Sequence, residues 1–255
     1  IERLPIQPGK IELSINDWMI SAPAPSARKN VTVTILRCPA RGPAYNVSMK
    51  VLTYNIWDGG SNEAGGDRRE RIVKVIRESR ADVALLVEAK GFDESLARWE
   101  RDLGMQGALG LAPSQYHVAL FAKPSFPIRS AGTLHPPAFY HACLQARLGT
   151  PWGDITLLGV HLNPMDPEAR LGEARYLARE AREDRPVLLA GDFNGFAPGD
   201  VPDPAVHELS RRVRARHIMI PDASLSDQPP LDTRAIALLE WAGCTDLFRA
   251  LNPGE

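Results

Sequence analysis

Four apolar runs of strand length constrain this sequence most, because each delivers a polar or ionisable side chain at its C-terminal end. Val51–Tyr54 leads to Asn55, Val83–Val87 to Glu88, Ile155–Val160 to His161, and Val187–Ala190 to Asp192 and Asn194. Short continuous apolar runs read as buried strands. A carboxylate at the end of such a strand needs a cation, a hydrogen-bond donor or open water beside it, since burying it alone costs too much. Four ends of this kind imply one shared pocket. Residues two apart in a strand face the same way, so Asp192 and Asn194 are expected on one face. The donors are hard oxygens with no cysteine among them, the set that magnesium, manganese or calcium prefers. Magnesium in particular is held by one or two carboxylates, with waters and a phosphate completing its shell.

The elements around these runs alternate. "MKVLTYNI" predicts a strand, "GDRRERIVKVIRES" a helix, "DVALLVEA" a strand and "FDESLARWERDLG" a helix. A strand-rich middle follows, with "HVALFAK", "YHACLQARL" and "DITLLGVHL". Leu171, Ala174, Ala178 and Ala181 then recur at three- and four-residue steps behind an Asp166 cap and Pro167, which predicts a helix. "RPVLLAGDFN" is the next strand, and "DTRAIALLEWAG" a last helix capped by Asp232 and ended by Gly243. This order predicts one α/β (α+β) domain with mixed sheets rather than a doubly wound parallel sheet. Residues 1–48 hold six prolines and little periodicity, with one short strand, "VTVTIL". They are set apart as a leader or poorly determined N-terminal segment. Met49 is a candidate natural start, and the domain is expected to run over 49–255.

A chain of 255 residues with 44% hydrophobic content can bury a substantial core. Its formal charge of -1 and pI of about 6.7 supply no basic stripe of the kind non-specific nucleic-acid binders use. Cys38, Cys143 and Cys244 are far apart, without metal-ligand spacing and too few for a disulfide framework. No stretch has the length of a membrane helix. A reduced, cytoplasmic location and no obligate protein partner are expected.

"LTYNIW", "LLVEA", "GVHLNP" and "LLAGDFN", in this order, resemble the motifs of the endonuclease/exonuclease/phosphatase superfamily of metal-dependent phosphoesterases, over about Met49 to Glu255. The resemblance implies a four-layer α-β-β-α sandwich. It also implies that Glu88 and Asn55 hold a metal ion, with Asn55 near the phosphate, and that Asp192 orients or deprotonates the attacking water. Asn194 would hydrogen-bond the phosphate, and His161 would contact a non-bridging oxygen or assist the leaving group. Such a cation and such donors suit a phosphodiester, whose own charge repels nucleophiles. The histidine of "HL" is similar to that of pancreatic-type deoxyribonucleases, sphingomyelinases and inositol-phosphate phosphatases, and argues against an abasic-site endonuclease. The family continues into two further strands bearing an aspartate and a Ser-Asp-His-like motif. This sequence stops at "LNPGE", so the domain is expected to be C-terminally truncated, lacking those strands. His207 and His217 lie in the arginine-rich, helix-like "VHELSRRVRARH" and fit no such motif, and Asp246 belongs to a late helix.

Plainer readings stand beside these. Asp192 and Asn194 before Gly195 also suit a turn, Asn55 a loop cap before "DGG", Glu88 a solvated strand end and His161 a satisfied core histidine. His117, His135 and His141 carry no motif and are read as structural or surface. Tyr54, Trp57 and Phe193 are read as core, Arg211, Arg212, Arg214 and Arg216 as a solvated helix face, and "DGG" and "AGG" as flexible connections. The expected function is a phosphoesterase using magnesium, with manganese as a substitute. Its substrate is a phosphate ester: a nucleic acid, a phospholipid head group or a small phosphodiester. From Met49 on, 28 acidic residues against 24 basic ones favour a compact substrate over long duplex DNA. The alternative is a non-catalytic phosphate- or metal-binding module, or an inactive fragment of such an enzyme.

Overall fold

The computed structural model describes residues 31–37, 48–61, 66–134, 138–181, 186–200, 216 and 231–251, the side chains of 31–37 and of 248 excepted. Five strands form the first sheet: β1 (Val31–Arg37), β2 (Ser48–Asn55), β3 (Val83–Val87), β4 (Gln106–Gly110) and β5 (Val118–Ala122), in the order β1-β2-β3-β5-β4. β6 (Ile128–Thr133), β7 (Cys143–Thr150), β8 (Gly153–His161) and β9 (Val187–Asp192) form the second, in sequence order. β2 and β3 run parallel, as do β8 and β9, whereas the other pairings are antiparallel. The sheets are therefore mixed, as the order of elements predicts. β1 lies in the segment set apart as a leader and pairs along the length of β2, from Val31 opposite Tyr54 to Arg37 opposite Ser48.

The strands read as continuous apolar runs because both faces of the first sheet are covered. Val83, Leu85 and Val87 of β3, with Val118, Leu120 and Ala122 of β5, pack between the sheets against Leu144, Leu148 and Leu157. The intervening Ala84, Leu86, Ala119 and Phe121 meet Ile72, Val73 and Ile76 of α1 (Arg69–Ser79) and Phe92 and Trp99 of α2 (Phe92–Leu103). Phe92 stacks on Trp99 at 4.5 Å between ring centroids. On the far side, Leu158 and Val160 of β8 pack against Ala174 and Leu177 of α3 (Pro167–Glu180) and Ala235 and Leu239 of α4 (Arg234–Trp241). Three apolar layers thus separate helices, sheet, sheet and helices, giving the four-layer order. α5 (Leu247–Leu251) follows α4. Gly159 lets the sheets approach closely: a Cβ there would stand 2.5 Å from Leu85 Cδ1.

α3 begins as its sequence dictates, with Asp166 accepting from the backbone N–H groups of Glu168 and Ala169 and proline in the first turn. The expected cap of the last helix is displaced by one residue. Thr233 takes the cap position, and Asp232 lies buried just outside it, accepting from the Arg234 N–H at 3.2 Å. β4 and β6 escape sequence reading because "QGALG" and the largely exposed "IRSAGT" are neither apolar runs nor rich in strand formers. β9 is half-buried rather than buried, since among the described residues it pairs with β8 alone. No helix among the described residues is long and apolar enough to cross a membrane. His135, His207, His217, Arg211, Arg212 and Arg214 lie outside the described residues.

Candidate active site

Parallel neighbours finish at the same end of a sheet, and this places the polar strand ends side by side. In the first sheet Asn55 pairs with Val87, the residue before Glu88; in the second, His161 pairs with Asp192. Packing the sheets face to face then brings the two pairs together. The Asn55 amide nitrogen donates to Glu88 Oε1 at 2.9 Å and to Asp192 Oδ2 at 3.2 Å, joining carboxylates from both sheets. The remaining Asn55 oxygen accepts from the Trp57 N–H at 3.0 Å.

Each acid is held by local backbone geometry. Glu88 sits at φ 60, a conformation that costs a non-glycine residue free energy and turns the chain sharply out of β3. The "DGG" turn closes over it. Asp58 donates its N–H to Glu88 Oε2 at 3.1 Å, and Gly59 donates to the Glu88 carbonyl at 2.7 Å. Gly59, at φ 69, lies so close to the Lys90 carbonyl that a Cβ would collide with it. "DGG" is therefore a fixed clamp on Glu88 and not a flexible connection.

Asp192 ends β9, and its Oδ1 accepts from the Asn194 N–H at 2.9 Å, an Asx turn. Asn194 itself adopts φ 47. The expectation that Asp192 and Asn194 share a strand face is thus overturned: the strand stops at Asp192, and a turn instead aims the Asn194 amide at the Leu162 carbonyl, 2.8 Å away. That bond ties the turn to the residue after His161.

Among the described residues no lysine or arginine pairs with Glu88 or Asp192, so a neutral amide alone lies between two acids. No cluster of three or more His, Cys, Asp or Glu side chains closes around a point there either. Such oxygen donors fit a hard divalent cation. His161 is buried, and burial pulls its imidazole below the ordinary value while the Asp192 and Glu88 carboxylates push it back up.

The sequence model of the endonuclease/exonuclease/phosphatase family matches residues 52–216, close to two thirds of the chain. The chain belongs to this family. Its members are hydrolases acting on phosphoester bonds. No curated protein compared with the chain matches it. Among solved structures, selenomethionine TDP2 from Caenorhabditis elegans is 18% identical with a TM-score of 0.50, over 57% of this chain and 47% of that one. ANGEL2, described as a 2',3'-cyclic phosphatase, is 21% identical with a TM-score of 0.42, over 52% of this chain and 44% of that one. A family protein from Bacteroides thetaiotaomicron is 18% identical with a TM-score of 0.48, over 58% and 64%. The chain spans about half the length of the TDP2 chain. At these identities the TDP2 likeness speaks for the fold alone.

Five residues singled out by the family motifs, Asn55, Glu88, His161, Asp192 and Asn194, meet at one end of the sandwich. His141, read as structural or surface, is buried, its ring stacked on His161 at 4.2 Å and 13°. No motif marks it. His117, also without a motif, is structural, its Nδ1 accepting from the Ala112 N–H at 3.0 Å. Trp57, read as core, is 55% exposed at φ 54, because the residue follows the strand end and the Asn55 side chain holds its N–H. Tyr54 and Phe193 do pack into apolar layers. Of the arginine cluster, Arg216 is described, and its carbonyl accepts from the buried Arg170 at 2.7 Å.

Proposed function

We propose that the chain is a magnesium-dependent phosphoesterase, hydrolysing a phosphodiester or phosphomonoester by direct attack of a water. The observation that carries this reading is the Asn55 amide held between Glu88 and Asp192. Glu88 and Asn55 are the groups to hold the cation, Glu88 through its carboxylate and Asn55 through the lone pair of Oδ1 that Trp57 leaves unused. A bound divalent ion supplies positive charge to the phosphate's non-bridging oxygens. Manganese meets the same oxygen chemistry.

Asp192 orients the water and takes its proton, while the Asx turn it makes keeps the carboxylate from swinging away. Asn194 commits one amide N–H to Leu162 and offers the second to the phosphate. His161, emerging beside Asp192, contacts a non-bridging oxygen or the leaving group. The acid excess of the domain favours a compact ester over long duplex DNA.

The test is metal-dependent release of nitrophenolate from bis-4-nitrophenyl phosphate by the 255-residue chain, with Asp192→Ala and Glu88→Gln alongside. Loss of the water-activating group is expected to lower kcat by about 100-fold or more. Glu88→Gln is expected to raise the magnesium concentration needed for half-maximal rate. An Asp192→Ala variant at the parent rate overturns the reading, and so does a parent chain that binds magnesium without hydrolysis, which favours a phosphate- or metal-binding module or an inactive fragment of such an enzyme.

A further inference from the structure

A histidine that works on a substrate is usually oriented from behind by a hydrogen bond to its second ring nitrogen. Among the described residues His161 lacks this: its Nδ1 finds no hydrogen-bond partner there, and the residue is only 3% exposed. Its flat face lies instead against the ring of His141, with centroids 4.2 Å apart and the planes within 13°.

His141 is fixed from several sides. Its Nδ1 meets Ser114 Oγ at 2.8 Å, and Tyr116 and Tyr140 stand edge-on to the ring at 5.7 and 4.7 Å. The buried Glu173 carboxylate fastens the backbone on both sides of the stack. One oxygen accepts from the Tyr140 N–H at 2.7 Å and the other from the Asn163 N–H at 2.6 Å. Tyr140 precedes His141, and Asn163 lies two residues beyond His161.

Plain core packing does not account for an imidazole at position 141. Its Nε2 is buried without a partner among the described residues, a cost that a phenyl or leucyl side chain would not incur. What the imidazole adds is the Ser114 tether that locks the plane on which His161 rests.

We propose that His141 is a positioning residue for the phosphoester reaction: tethered by Ser114, it sets the plane of the His161 ring by stacking. This rests on the site reading above, with His161 as the group that meets the ester. Misplacement of a reacting group by about 1 Å costs on the order of 100-fold in rate, so loosening the ring should show in kcat and not in KM.

The experiment compares His141→Ala, His141→Phe and Ser114→Ala with the parent and with Asp192→Ala, using bis-4-nitrophenyl phosphate at saturating magnesium. Ring signals of His161 are followed by NMR without substrate. His141→Ala is expected to lower kcat about tenfold or more with KM within about twofold, and to shift and broaden the His161 ring signal. His141→Phe keeps a flat wall but loses the Ser114 tether, and Ser114→Ala loses the same tether while keeping the ring, so both are expected to fall between His141→Ala and the parent in kcat. If Asp192→Ala is inactive while His141→Ala keeps the parent kcat and an unmoved His161 signal, the positioning role is refuted and the site reading stands. If Asp192→Ala works at the parent rate, the site reading fails and the inference falls with it.

Discussion

Replacing Gly191 by alanine tests how the fold aims Asp192. Gly191 stands opposite Val160 in the β8–β9 ladder at φ 139, a conformation that L side chains rarely adopt. A Cβ there would run into the Val160 carbonyl oxygen and stand 2.8 Å from both Val160 C and Val160 N, where real Cβ atoms essentially never come under 3.0 Å. All three obstacles are backbone, so no side chain can swing aside. The conformational term is about 1–3 kcal/mol, and forcing the strands apart adds roughly 1–3 kcal/mol more. The expected loss is therefore about 2–6 kcal/mol, a large share of the roughly 5–15 kcal/mol that holds an ordinary domain together. Urea unfolding measures it: the midpoint should drop by about 1 M or more with the slope unchanged. Gly195→Ala is the control, because its Cβ would meet nothing nearer than 3.5 Å and its φ is not positive; it should move stability by no more than about 0.5 kcal/mol. A Gly191→Ala variant within about 1 kcal/mol of the parent would refute the argument that strand contact at Gly191 fixes the carboxylate that follows it.

Gly172 lies inside α3 with open space around its would-be Cβ, so Gly172→Ala should stabilise the protein by about 0.5–1 kcal/mol in the same urea assay. His141 offers a pH test. Burial, helped by neighbouring His161, pulls its imidazole from 6.5 down to about 3. A folded-state value below the unfolded one means that the neutral ring's contribution is complete above about pH 6.5 and is lost as pH falls toward 3. Midpoints measured at steps between pH 7.5 and 4 should therefore fall less steeply in His141→Phe than in the parent, and parallel profiles would contradict the assignment.

The sequence was most legible where a single physical rule governed a segment. β3 and β5 are covered on both faces and so read as unbroken apolar runs. α3 carries both its cap and its proline. The strand ends at Asn55, Glu88, His161 and Asp192 were legible because a polar group after a buried strand demands a reason. β4 was not, since Gly107 and Gly110 give it little apolar pattern. Its place in the sheet depends on distant neighbours: Cβ atoms there would crowd Leu96 and Leu144. Neither were the turns at Glu88 and Asn194, where a backbone at positive φ overrides the two-residue alternation on which strand reading relies. His141 was hidden for a related reason. Its stacking partner lies 20 positions away, brought close by the β7–β8 pairing, and no local spacing encodes that.

The site is therefore a consequence of topology before it is one of chemistry. Each sheet contains a parallel pair, β2 with β3 and β8 with β9, and parallel pairing is the arrangement that sets two strand C-termini next to each other. One such pair alone would gather Asn55 with Glu88, or His161 with Asp192, but neither couple holds two carboxylates. Facing the two sheets across the layer that Gly159 draws close supplies the second acid to the first. The Asn55 amide then spans the seam, so a shift of one sheet against the other must stretch the bond to Asp192 while leaving the bond to Glu88 intact. Repacking between the sheets, at Leu85 or Leu157 for instance, is thus coupled to the separation of the two carboxylates.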